Sequence, residues 1–229
     1  MLRLLLALVL FAAAPPREGV SVSGKVSVGK EAKKKIFVVK YTGPEVEKRK
    51  TPSPSFAVVW LKGAPKGKVE TSKIEILQQG LEFRPRVAAI TTGSTVEFPN
   101  GDELFHNVCS LSPGNDFDMG KYPKGDPDHF RTFRKRGRID VRCKIHDHMR
   151  AFIHVFDHPY FAVAAEDGSY SIANVPPGKY TLVAWKEDYE ELEREIEVKS
   201  EGLKIDLEIA QSGEKPAAPS LIAGCCSAR

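Results

Sequence analysis

The chain has 229 residues, 41% apolar and 28% charged, with a formal net charge of +4. That length allows one large or two small domains, each burying a core of its own. So small a basic surplus, with no nucleic-acid motif beside it, leaves no case for nucleic acid as a partner. Sixteen prolines and eighteen glycines between short β-branched runs point to an all-β fold.

At the N-terminus, Arg3, the apolar run 4–11 and the small-residue site Ala12-x-Ala14 form a secretory signal pattern over residues 1–14. The run falls well short of the about 20 residues that a bilayer span takes. The expectation is an exported protein, periplasmic or extracellular, with no membrane span once the signal is removed. Pro15 directly after the expected cut is unfavourable for cleavage, which leaves an uncleaved anchor open.

Residues 20–28 alternate with valine at every second position except Gly24, the period of a strand. A basic turn at 30–35 leads to a strand at 36–41, and 43–55 reads as a proline-bearing loop. FAVVWL at 56–61 is nearly continuous in apolar residues, the mark of a strand buried on both faces. GAPKGK at 63–68 reads as a boundary. Short strands follow at 73–78, 87–90, 95–98 and 106–110, and 111–128 reads as a long loop. Strands at 130–133, 137–143 and 151–156 complete a set whose spacing suggests a sandwich or Greek-key barrel. Beyond residue 157 the pattern turns to hairpins, with strands at 161–165, 170–172, 179–185 and 191–198. Alternation over 203–209 predicts one more, and 211–229 reads as a disordered tail.

Charge is unevenly spread. Residues 121–150 carry ten Lys/Arg against four Asp, and 186–208 carry ten Asp/Glu against four Lys/Arg. Four cysteines make no disulfide framework: Cys225 and Cys226 are adjacent in the tail, and Cys109 reads as a small buried hydrophobe.

The chemistry concentrates in RCKIHDHMRAFIHVF. Cys143, His146 and Met149 have the spacing Cys-x2-His-x2-Met, one ligand short of a His2Cys copper site with a weak axial thioether. His106, in FPNGDELFHNVCS, is placed to supply the second imidazole. Strand parity agrees: Ile139, Val141 and Cys143 point one way, as do His106 and Val108. Thiolate covalency, two imidazoles and a weak thioether tolerate both copper oxidation states with little rearrangement. The bland alternative is a core thiol beside ordinary loop residues. His129, His148, His154 and His158 read as structural or surface histidines, and Met119 as a weak rival to Met149.

Residues 68–156 resemble a cupredoxin in GSTVEFPNGDELFHNV, FDMG and GRIDVRCKIHDHM, and the short ligand loop is similar to that of the amicyanins. The resemblance implies one type 1 copper per chain, with His106, Cys143 and His146 equatorial and Met149 axial. It also implies that Asn107 braces the Cys loop. The family has Ser or Thr after the Cys, where this chain has Lys144. Residues 19–62 and 157–210 resemble a carboxypeptidase-regulatory-like (prealbumin-type) β module in VSGKV, AVVWLKG and EDGSYSIANVPPGKYTLVAW. The copper unit would then be inserted into that module, an arrangement similar to exported methylamine-utilisation-like proteins.

These readings imply an exported electron carrier for a redox protein partner. Its exit would lie near His146, with Met149, Ala151 and Phe152 at hand. The basic group Arg131, Arg134, Lys135, Arg136 and Arg138 would steer a partner of acidic surface. An enzyme is not expected, because Arg142 and Lys144 flank Cys143 where a multicopper oxidase carries His. A copper-binding carrier or adhesion module without a redox role stays open.

Overall fold

The computed structural model describes residues 19–29 and 57–210. The signal segment, the 36–41 strand, the loop before residue 56, and the tail with Cys225 and Cys226 all lie outside the described residues. In chain order the strands are β1 (Val20–Val28), β2 (Val58–Lys62), β3 (Lys73–Glu75), β4 (Leu77–Gln78), β5 (Phe83–Arg84), β6 (Val87–Thr91), β7 (Thr95–Glu97), β8 (His106–Ser110) and β9 (Phe117–Tyr122). They continue as β10 (Phe130–Thr132), β11 (Gly137–Arg142), β12 (Arg150–Phe156), β13 (Phe161–Val163), β14 (Ser169–Val175), β15 (Gly178–Trp185), β16 (Leu192–Val198), β17 (Leu203–Lys204) and β18 (Leu207–Ile209). The described residues are all β, with no helix among them, and none long and apolar enough to cross a membrane.

The strands form two sandwiches. In the first, the sheet β6-β12-β11-β8-β9 faces β10-β7-β3. Ile139, Val141, Ala151, Ile153 and Val155 from one side meet Val96 and Phe98 from the other. In the second, β14-β1-β17, with β18 also on β1, faces β13-β2-β15-β16. There Val22, Val26, Ile172 and Leu207 meet Val59, Leu61, Leu182 and Ile196. Strands β1 and β2, which come before the first sandwich in the chain, thus pair with strands that come after it: β1 with β14, β17 and β18, β2 with β13 and β15.

The two sandwiches also pack on each other, through the outer faces of β2, β6, β12 and β15. Val58, Val87, Phe152, Phe156 and Trp185 are buried there, with Trp60, Ala89 and Phe161 against them. Four β layers therefore stack, and the two middle sheets have no solvent face along these strands. That is the physical reason FAVVWL and AFIHVF are apolar at both parities. Alternate residues serve different cores: Ala151, Ile153 and Val155 fill the first sandwich, Phe152 and Phe156 the seam.

Two expectations need correction. The loop expected at 111–128 contains β9, which forms the sheet edge beside β8. The single strand expected at 203–209 is two, β17 and β18, both parallel to β1. Between them Ile205 crosses Gly24 so closely that a Cβ on Gly24 would lie 1.8 Å from the Ile205 carbonyl oxygen. Only a glycine fits there, and it interrupts the valine alternation for that reason.

Candidate metal centre

Two neighbouring strands of the first sandwich deliver the site. β8 and β11 run antiparallel, with Cys109 opposite Arg142, so the start of β8 and the residue after β11 share one end of the sheet. His106 opens β8 and Cys143 follows β11. The chain then turns through 143–149 and returns as β12. Cys143 N–H donates to Met149 O at 3.3 Å, and Met149 N–H donates to His146 O at 2.9 Å, which closes the turn on itself.

The structure brings His106, Cys143 and His146 together: one donor atom from each lies within 4.8 Å of the others. His106 Nδ1 is 3.1 Å from His146 Nδ1, and Cys143 Sγ is 3.7 Å from the same His146 atom. His106 is fully buried, Cys143 is 3% exposed and His146 is half-buried, so the site meets solvent only through His146. Met149 is 1% exposed and packs in the same core as Cys143. Burial, together with the positive charge His106 and His148 would carry, holds the His146 ring below the ordinary imidazole pKa.

The surroundings orient these groups. His106 Nε2 lies 2.9 Å from Asp102 Oδ2, which leaves Nδ1 to face Cys143 and His146. Asp102 accepts from the amides of Gly80 at 2.7 Å and Leu81 at 3.0 Å. Burial pushes its carboxyl up, but those two amides and the His106 ring outweigh it and hold the group below the usual carboxylate range. Asn107 N–H points at Cys143 Sγ, 3.5 Å away. The Asn107 side chain donates to Asp118 Oδ1 and to Gly120 O, and accepts from the amide of Lys144. The brace expected of Asn107 is thus made to the backbone of residue 144, for which the side chain at that position is immaterial. Lys144 instead pairs its ammonium with Asp118.

The apolar side chains at the surface differ from those expected. Met149, Ala151 and Phe152 are buried, at 1%, 0% and 3% exposure. Leu104 and Phe105, just before His106, and Ile145, just before His146, are exposed instead. The basic group lies elsewhere. Arg136 and Arg138 stand at the far end of β11, about 20 Å from Cys143 at the rise of an extended strand. There Arg136 pairs with Asp157, and Arg138 covers the ring of Trp185.

Sequence reasoning missed Asp102. Its signal was an Asn-Gly-Asp turn just before a ligand-type histidine, with a carboxylate four residues ahead of the ring. Of the remaining histidines, His154 and His158 are buried at the seam, His154 between Trp60 and Trp185.

Comparison with known proteins adds the following. Residues 155–207 match the family model of polysaccharide lyase family 4, domain II, and not a carboxypeptidase-regulatory model, which corrects the resemblance drawn for that part of the chain. No curated protein matches the sequence. Among solved structures, a copper-containing nitrite reductase from Thermus scotoductus SA-01 is similar at 27% identity over 42% of this chain, with a TM-score of 0.34. This chain spans only 24% of that enzyme's length. A purple cupredoxin from Nitrosopumilus maritimus is similar at 22% identity, covering 34% of this chain and 85% of its own, with a TM-score of 0.30. A variant of amicyanin is similar at 20% identity, covering 37% of this chain and 82% of its own, with a TM-score of 0.34.

Proposed function

We propose that the chain is an exported type 1 copper protein of the cupredoxin kind that carries single electrons between redox partners. The observation that carries this reading is the convergence of His106, Cys143 and His146 donor atoms within 4.8 Å at one sheet end. The donor set fits the metal: two imidazole nitrogens and a buried thiol, with the thioether residue Met149 buried in the same core as the thiol, suit copper better than the oxygen-seeking cations. His106, Cys143 and His146 would hold the ion, with Met149 as the fourth residue of the set. Bound there, copper would supply a one-electron couple between Cu(II) and Cu(I).

The chain's own residues do the rest. Asp102 fixes the tautomer and orientation of the His106 ring, leaving its Nδ1 lone pair free for the site. The Asn107 amide stabilises negative charge on Cys143, and its side chain holds the turn that follows. Core packing around Cys143 and Met149 excludes water and limits rearrangement. Of the three, His146 alone reaches the surface, and the exposed apolar side chains next in sequence to the two histidines, Leu104 and Phe105 before His106 and Ile145 before His146, suit a transient contact with a redox protein. Export rests on the N-terminal signal pattern.

The test is a visible spectrum of the full chain after Cu(II) addition. An intense charge-transfer band, absent in Cys143→Ser, together with a reversible one-electron couple, is expected. A colourless copper complex would sink the type 1 reading. Tight copper without a reversible couple would favour a copper carrier.

A further inference from the structure

Arg142 and Arg150 form the last pair of the β11–β12 ladder, and they bracket the 143–149 turn. Both guanidiniums go to one carboxylate. Arg150 donates to Asp140 at 2.9 and 2.6 Å, and Arg142 donates to Asp140 Oδ2 at 2.9 Å. All three residues belong to one hairpin, so by themselves they tie its tip only to itself.

The network does not stop there. Arg150 Nη1 reaches Glu187 Oε1 at 3.5 Å, and Glu187 follows β15 of the second sandwich. Glu187 in turn takes both arms of Arg86: Nε donates to Oε2 at 2.7 Å and Nη2 to Oε1 at 2.8 Å. Arg86 Nη1 donates to the Arg150 carbonyl oxygen at 3.2 Å. The Glu187 and Arg86 side chains are 17% and 24% exposed, so water and salt screen this pair weakly. A two-point Arg–carboxylate pair is also directional, which makes it a means of fixing position.

We propose that Glu187 is a positioning residue for the candidate metal site, through which the second sandwich fixes the base of the turn carrying Cys143, His146 and Met149. The functional meaning of this rests on reading those residues as copper ligands. The apolar seam anchors β12 at Phe152 and Phe156, three and seven residues beyond Met149, and leaves the turn itself outside its grip. Glu187 closes that gap, because it ties Arg150, the residue next to Met149, to a separate sheet layer. Movement of Arg150 passes directly into the turn, whose closing bonds run from Met149 to Cys143 and to His146. The second sandwich is then part of the frame that holds the donor atoms, and not only the unit to which the site is attached.

The test uses the full chain in two states. Glu187→Gln keeps the shape and removes the charge. Glu193→Gln removes an exposed ion pair with Lys62 elsewhere in the second sandwich and serves as control. In the metal-free protein, amide hydrogen exchange at Cys143 and Met149 should rise about tenfold in Glu187→Gln, while amides of β14 and β16 keep their rates. Arg86→Lys, which keeps the charge but loses the two-point geometry, should do the same. In the copper-loaded protein, the Cu(II) hyperfine splitting and the reduction potential should shift in both variants and not in Glu193→Gln. Unchanged exchange in the turn would overturn the proposal. So would uniform acceleration through both sandwiches, which marks a general loss of stability. A wild-type protein with no intense visible band would refute the copper reading alone, because the exchange measurement needs no metal.

Discussion

His106 Nε2 and Asp102 Oδ2 lie 2.9 Å apart, and this contact decides which nitrogen of a fully buried imidazole faces the site. A carboxylate held by two backbone amides makes the ring a stronger donor than a neutral acceptor would. A stronger donor favours Cu(II), the harder of the two oxidation states.

Asp102→Asn should therefore weaken Cu(II) binding by about 10- to 100-fold and Cu(I) binding by less. Each tenfold of difference raises the one-electron potential by about 59 mV. Voltammetry on wild type and variant reads the shift directly. A potential that stays put would mean that Asp102 is structural only.

Asn107 is 2% exposed and spends its side chain on three partners around the Cys143 turn. Asn107→Ala leaves Gly120 O and the Lys144 amide without that partner, at a cost of about 1–3 kcal/mol. Chemical denaturation should show the loss as a lower midpoint with an unchanged slope. A midpoint equal to wild type would show that water replaces the side chain at no cost.

Gly24→Ala places a methyl group against the Ile205 carbonyl, and the approach of 1.8 Å leaves no room for relaxation of side chains alone. β1 or the 203–209 segment must move, so the cost should exceed about 3 kcal/mol. Gly63→Ala meets no neighbouring atom and is the matched control, although its positive φ of 78° carries a smaller strain of its own. Equal midpoints for the two variants would contradict the observed crossing.

His154 gives the chain a pH dependence at its seam. Burial, with Arg138 adding to it, pushes its imidazole down to about 3 from an unfolded value of 6.5. Its Nε2 is buried without a hydrogen-bond partner. The unfolded chain therefore binds a proton at this residue across that window and the folded chain does not. Stability is full above pH 6.5 and falls with pH through the window, at up to about 1.4 kcal/mol per pH unit. His154→Leu should flatten that part of the stability–pH curve, measured by urea titration at a series of pH values. An unchanged slope would assign the acid sensitivity to other groups.

Much of the candidate site's geometry was legible because its residues are local in the chain. Cys143, His146 and Met149 fall within one turn, and strand parity alone puts Val141 and Cys143 on one face. Asp102 was not legible, since it meets the ring through a bent segment that is neither helix nor strand and shows no period. Glu187 was hidden for a different reason: it sits in an acidic run where every carboxylate looks alike until the fold brings Arg86 and Arg150 to one of them. Within the fold, the nearly continuous apolar run at 56–61 announced a strand with no solvent face. It could not say that one face met a second sandwich. β9 escaped because Asp118, Gly120 and Lys121 dilute its apolar positions, as befits a sheet edge with one exposed side.

The pairing of β2 with β13 sets Trp60 opposite Phe161, so the chain leaves and rejoins the second sandwich at adjacent places in one sheet. An open loop of about a hundred residues would make that pairing entropically costly. Once the intervening sandwich has formed, its two ends already lie side by side, and the cost falls to that of a short connection. Assembly should then run from the inside outward, the first sandwich maturing before β2 can find β13. Pulse-labelled exchange during refolding would see β11 and β12 protected before β2. Damage to the half that carries the candidate metal site would on this account also stall the half that surrounds it, and cells would lose both together.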